Sequence, residues 1–76
     1  MTDSVKFRDF VRNKGIKLNS IAKLLDITPY CLQMKIDNIS EFKVSEVMAI
    51  AAAYGMTQAE KESIFFAGDV ELKSTN

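Results

Sequence analysis

The 76-residue sequence contains no histidine and no tryptophan, and it has a single cysteine and a single proline. One cysteine cannot form a disulfide within the chain, and the lack of histidine excludes a mixed Cys/His metal site. The sequence also lacks a glycine-rich phosphate loop, an activated nucleophile pair and clustered carboxylates with a convincing pocket. We therefore expect no enzymatic activity, no cofactor, no metal site and no small-molecule substrate.

Long apolar stretches are also missing. The first ten residues, MTDSVKFRDF, lack the apolar segment of a signal peptide. No apolar run approaches the roughly 20 residues that span a bilayer. We therefore expect no contact with membranes and a reducing, cytoplasmic location. Because 47% of the residues are hydrophobic, the sequence predicts one packed domain rather than a disordered chain.

The net charge is zero, but the charges are unevenly distributed along the chain. Residues 1–43 hold eight Lys and Arg against five Asp and Glu, whereas residues 44–76 hold two against five. A basic N-terminal part suits contact with DNA, because neutralised phosphates release their counterions. A neutral chain nevertheless falls short of the strongly basic composition that marks many nucleic-acid-binding domains. Charge alone therefore supports DNA binding only moderately.

The spacing of apolar residues predicts an all-α fold, a compact bundle of five short helices. The predicted helices are residues 3–14, residues 18–25, a helix that begins at Pro29, residues 44–54 and a helix that begins at Thr57. Gly15 and Gly55 are expected to end two of them in the left-handed C-cap conformation. Thr28 is expected to cap the third helix, and Thr57 and Glu60 form a capping box in the fifth.

Residues 1–67 are predicted to form the folded domain, and residues 68–76 a short polar tail that we expect to be flexible. Phe65 and Phe66 are interpreted as core residues near the end of the domain. The surrounding segment IFFAGDVEL either pairs two chains through a strand or packs on its own core.

Residues 21–37, IAKLLDITPYCLQMKID, have the spacing of a helix-turn-helix. Ile21, Leu25 and Leu32 are the apolar positions that let two helices cross at the roughly 90–120° of this motif. The position after the second helix favours a positive φ, and Asp26 is among the few residues other than glycine that tolerate it. The stretch therefore predicts two crossed helices joined by a tight turn.

The segments IAKLLDIT, PYCLQMKIDN, ISEFKVSEV and SIFFA together resemble the Cro/CI-type helix-turn-helix family, specifically its small temperate-phage members. The likeness covers about residues 16–67. It implies a five-helix domain of the lambda-repressor-like type whose third helix enters the major groove of operator DNA, commonly as a homodimer on a two-fold operator. The implied role is a transcriptional regulator of the switch between lysogeny and lysis, acting in the cytoplasm of the bacterial host.

The chain departs from the family pattern at four positions. Leu18 replaces the Gln that often begins the second helix. Asp26 and Asn38 replace glycines at two turns, and we expect both turns to tolerate them. Lys43 stands where Thr or Ser usually caps the fourth helix, so its capping box with Glu46 is expected to be weak.

The outward face of the third helix carries the functional prediction. At about 100° per residue, Tyr30 and Met34 lie nearly opposite the inward position, while Gln33 and Asp37 share one flank. Gln suits adenine and apolar groups suit the thymine methyl, whereas an aspartate repels the DNA backbone. The predicted recognition face comprises Leu18, Thr28, Pro29, Tyr30, Gln33 and Met34. The predicted phosphate contacts are Lys17, Lys23 and Lys35.

Two functions are open at this stage. In the first, the chain binds operator DNA directly through the recognition face. In the second, the same face binds protein: the chain is an antirepressor that docks on a partner repressor's DNA-binding domain and modulates its binding to DNA. The frequency of DNA binding in the family favours the first. The zero net charge, Leu18, Asp37 and the absence of Arg from the third helix favour the second.

Overall fold

The computed structural model describes residues 1–66, which form five helices and no strands. The helices are α1 (Ser4–Lys14), α2 (Leu18–Leu25), α3 (Pro29–Ile36), α4 (Val44–Tyr54) and α5 (Gln58–Phe65). The predicted all-α, five-helix fold is therefore confirmed for this part of the chain. Residue 67, the predicted tail of residues 68–76 and most of the segment IFFAGDVEL lie outside the described residues.

The helices begin and end where the local sequence predicts. The Thr28 hydroxyl accepts a hydrogen bond from the Cys31 amide at 3.1 Å and so caps α3. At the start of α5, the hydroxyl of Thr57 and the carboxylate of Glu60 each accept a bond from the other's amide. Gly15 ends α1 at a φ of 68°, a conformation that glycine adopts without steric strain.

The start of α4 has only half of a capping box. The Glu46 carboxylate accepts a hydrogen bond from the Lys43 amide at 2.8 Å. The Lys43 side chain accepts no hydrogen bond from the Glu46 amide, because an ammonium group has no acceptor. The structure thus agrees with the weak capping box that the sequence predicts at this position.

Within residues 1–66, two residues other than glycine adopt the left-handed conformation: Asp26 at a φ of 57° and Asn38 at 64°. Asp26 ends α2, as the sequence predicts. Asn38 has a second role, because its side-chain oxygen accepts from the Thr2 amide at 2.9 Å and its nitrogen donates to the Thr2 carbonyl at 2.7 Å. These two bonds hold the start of the chain against the end of α3.

The hydrophobic core lies where the five helices meet. The most deeply buried large side chains are Phe7, Ile21, Leu32, Ile36 and Ile50. The ring of Phe7 lies 5.8 Å from that of Phe42 and 5.7 Å from that of Phe65, between centroids. Such offset and edge-on pairs add to the stabilisation from burial. Phe65 is therefore a core residue as predicted, whereas Phe66 is only half-buried.

The contacts between helices place α2 and α3 together at one side of the bundle. α2 packs against both α3 and α4, and α1 packs against α5. α1 is also tied to the end of α3, since the Ser4 hydroxyl donates to the Ile36 carbonyl at 2.5 Å. None of the helices described for residues 1–66 combines the length and the apolar character needed to cross a membrane.

Candidate recognition surface

Helices α2 and α3 pack against each other and are joined by a short turn, within the stretch of residues 21–37. Ile21 and Ala22 on α2 and Leu32 on α3 are almost fully buried. The amide of Ile27, in the turn, donates to the Ala22 carbonyl at 3.0 Å. Of the three predicted crossing positions, Ile21 and Leu32 are thus buried, whereas Leu25 is only half-buried against the core.

The first three residues of α3 and its capping residue face solvent. Thr28, Pro29, Tyr30 and Cys31 are all exposed, and Tyr30 keeps 72% of its surface accessible. We refer to these four residues as the recognition turn. The exposed side chains make it a surface with which a large ligand can make contact without any rearrangement of the core.

Leu18 and Met34, two further members of the predicted recognition face, are only half-buried rather than open, and Leu18 packs against the core. The helical wheel places Met34 nearly opposite the core, but it treats α3 as an isolated helix. In the structure the chain turns back after α3, and the amides of Ile39 and Ser40 both donate to the Met34 carbonyl. The exposed members of the predicted recognition face, Thr28, Pro29 and Tyr30, thus all lie in the recognition turn.

On one flank of α3, three polar side chains form a connected set that we call the polar network. The Gln33 side-chain nitrogen donates to one oxygen of Asp37 at 2.9 Å, and the Arg8 guanidinium on α1 donates to the other at 3.1 Å. The bond from Gln33, followed by that from Arg8, lowers the pKa of Asp37 below its ordinary value. Asp37 is therefore ionised at neutral pH, and Arg8 compensates its charge.

The three lysines predicted to contact phosphates have different surroundings. Lys17 and Lys23 are exposed and form no ion pair within residues 1–66. The Lys35 ammonium instead lies 3.1 Å from the Glu46 carboxylate on α4 and donates to the Glu41 carbonyl at 3.0 Å. Its side chain is only 12% exposed. The prediction for Lys35 therefore needs correction, because its charge joins α3 to α4 instead of standing free for a phosphate.

The sequence does not reveal that Arg8 and Glu46 contribute to this surface. The pair Gln33 and Asp37 is visible as a helical spacing of four residues, at which such side chains form hydrogen bonds. Arg8, by contrast, reaches Asp37 across 29 positions of sequence. No local pattern signals a contact between different helices at that separation.

Two grooves lie away from the recognition turn. One of about 430 Å³ lies between α1 and α5, and one of about 280 Å³ lies beside the start of the chain and Phe66. In the part of the chain that the structure describes, no three Cys, Asp or Glu side chains lie close enough to hold a metal ion. The surface on which the functional prediction rests is thus an exposed helix end and not a cavity.

The described part of the chain is an all-helical domain in which the start of α3 is an exposed helix end. Comparison with known proteins gives no match to a family model, to a curated protein or to a solved structure. The resemblance to the Cro/CI-type family therefore rests on the sequence motifs and stays a prediction.

Proposed function

We propose that this chain is a phage-type transcriptional regulator of the lysogeny–lysis switch that binds operator DNA through α2 and α3. The exposed recognition turn is the observation that carries the proposal. Helix-turn-helix proteins read base edges with the N-terminal residues of their second helix. Here the N-terminal turn of α3 is exposed, while Leu32 and Ile36 anchor the same helix in the core.

The side chains of the exposed recognition turn and of the half-buried Gln33 suit the chemistry of duplex DNA. The ring of Tyr30 offers apolar contact to a thymine methyl, and the amide of Gln33 offers a donor and an acceptor to adenine. Lys17 and Lys23, free of ion pairs within the described residues, are the side chains proposed to contact phosphates. We further propose a homodimer, because a two-fold operator presents half-sites about one helical turn apart.

A gel shift with the DNA that flanks the gene tests this function. We expect the full chain to bind one flanking duplex at least about a thousandfold more tightly than an unrelated duplex of equal length. Tyr30→Ala should remove most of this preference. Val5→Ala, which truncates a similarly exposed apolar side chain on α1, serves as the matched control. Equal affinity of the wild-type chain for both duplexes would rule out operator recognition.

A second function is favoured by the charges of α3. Asp37, which follows the last residue of α3, has an ionised carboxylate with 41% side-chain exposure, while the one lysine of α3 is paired with Glu46. An anionic group on the face weakens attraction to phosphates. The exposed Tyr30 has the character of a protein-interface anchor. The alternative is therefore an antirepressor that binds the DNA-binding domain of a partner repressor and modulates its binding to operator DNA.

The neighbouring repressor, added to the same gel shift, distinguishes the two functions. An antirepressor should form no band of its own and should remove or shift the repressor's band. Its association with the repressor should change little with salt, whereas direct DNA binding should weaken steeply between about 50 and 200 mM salt. A specific band formed by the chain alone would exclude the antirepressor function.

A further inference from the structure

The polar network supports a more specific inference, which rests on the proposed DNA-binding function. We propose that Asp37 is a positioning residue: it fixes the side-chain amide of Gln33 so that this amide reads one base pair. Arg8, the third member, neutralises the Asp37 carboxylate and so keeps it compatible with nearby phosphates. Sequence alone predicts the opposite role for Asp37, that of a repulsive charge on the recognition face.

The direction of the Gln33 amide follows from the chemistry of its partner. An ionised carboxylate is an acceptor only, so the amide nitrogen of Gln33, and not its oxygen, faces Asp37. One N–H is used in that bond. In the proposed arrangement this is the N–H trans to the carbonyl oxygen, so the N–H on the oxygen's side and the oxygen itself stay available as the donor and the acceptor that the N7 and N6 atoms of adenine require. Asp37 therefore leaves the adenine-reading groups of Gln33 free while fixing their orientation.

Fixing the side chain in advance favours specific binding. A free glutamine loses rotamer freedom when it is immobilised at an interface, and that loss opposes binding. The bond to Asp37 restricts Gln33 before DNA arrives. Asp37 is itself held, because its second oxygen accepts from Arg8 on a different helix at 3.1 Å. The network thus connects Gln33 to α1, which is packed on the rest of the bundle.

Arg8 explains how an acidic residue is tolerated on a DNA-binding face. Asp37 follows the last residue of α3, where the helix dipole disfavours a negative charge. An uncompensated carboxylate would also repel the DNA backbone. The guanidinium of Arg8 offsets both effects by its contact with Asp37.

The test measures the base preference of the full chain against every single-base-pair variant of its bound duplex. Gln33→Ala should reduce discrimination at one base pair by about tenfold. Asp37→Ala should reduce it at the same base pair to a similar degree, and the double variant should lose no more. Asp37→Asn, which keeps an acceptor oxygen but no charge, should retain the preference and bind all duplexes more tightly.

A second arm tests Arg8. Arg8→Ala should weaken binding to every duplex by a similar factor, about threefold or more, and should reduce the base preference less than Asp37→Ala does, because the bond from Gln33 to Asp37 remains. The matched control is Arg12→Ala, which removes the same charge from α1 but whose partner is Asp9 on the same helix. Equal losses in the two variants would overturn the neutralising role of Arg8.

The outcomes separate this inference from the function on which it rests. If the wild-type chain shows no preference among duplexes, the proposed DNA-binding function fails and the inference fails with it. If the wild type is selective but Asp37→Ala keeps the full preference, only the inference is overturned. The same holds if Gln33→Ala has the wild-type profile. Thermal unfolding of each variant ensures that loss of preference is compared among folded proteins.

Discussion

Lys23 and Lys35 show that the role of a charged residue depends on the neighbouring helices as much as on its own. Lys23 lies on α2 and Lys35 on α3, and the sequence predicts the same phosphate contact for each. Lys23 is exposed, whereas Lys35 is paired with Glu46, and both side chains of that pair are nearly buried at 12% and 11% exposure. Removing one member of a pair that is so poorly solvated destabilises the fold, because the remaining charge then lacks both its partner and water.

We therefore expect Lys35→Met to destabilise the fold by about 2 kcal/mol. Breaking a fully buried pair costs somewhat more, about 3–5 kcal/mol. Urea-induced unfolding measures the change in the free energy of unfolding. Arg12→Ala is the control: it breaks the exposed pair with Asp9, whose side chains are 74% and 50% exposed, and should change stability by less than about 1 kcal/mol. Adding Glu46→Gln to Lys35→Met should recover most of the loss, because no unpaired charge is left. Equal effects of Lys35→Met and Arg12→Ala would show that the Lys35 pair contributes no more than a surface contact.

At the scale of helices, each end depends on residues within one turn. For this reason the sequence predicts α2 at about residues 18–25 and α4 at about residues 44–54, in agreement with the structure. The left-handed Asp26 follows from the same local reasoning. Contacts between helices cannot be predicted from residues within one turn, because they depend on how the helices pack.

The cap of α3 offers a test that links helix stability to recognition. Thr28→Ala removes the bond to the Cys31 amide and should lower the free energy of unfolding by about 1 kcal/mol. It should also weaken DNA binding, because the recognition turn then frays. Thr57→Ala removes the equivalent cap of α5 and should reduce stability by a similar amount without affecting DNA binding. Thr28→Ser keeps an acceptor and should resemble the wild type. If Thr28→Ala and Thr57→Ala bind DNA equally well, the recognition turn is not the contact surface.

The limits of prediction from sequence are clearest on the recognition surface itself. The exposure of Thr28, Pro29 and Tyr30 follows from the turn chemistry and the helical period. The half-burial of Met34 does not follow from these two features, because it accompanies a reversal of the chain after α3 ends. The pairing of Arg8 with Asp37 joins side chains 29 positions apart and requires the packed arrangement of α1 and α3.

At the scale of the whole molecule, a net charge of zero does not make the surface electrically uniform. Residues 1–43, which include α1 to α3, hold an excess of three positive charges, and the later residues hold an equal excess of negative charge. Such a distribution orients a molecule in the field of DNA even when its total charge is zero. The recognition turn lies in the basic part of the sequence, which suits the proposed binding of that part to DNA.

This asymmetry leads to a prediction about salt. Lys17→Gln and Lys23→Gln should each weaken binding to all duplexes alike and reduce the slope of log affinity against log salt by about 1, because each variant removes one phosphate contact. Lys61→Gln makes the same change of charge on α5, within the acidic part of the chain, and should leave the slope unchanged. Fluorescence anisotropy at several salt concentrations measures all three variants against the wild type. All three variants change the net charge by the same amount. A slope that falls only in the Lys17 and Lys23 variants therefore shows that the loss comes from local phosphate contacts. Equal slopes in all three variants would instead mean that α2 does not touch the DNA backbone, and the antirepressor function would then be the better account of the exposed α3.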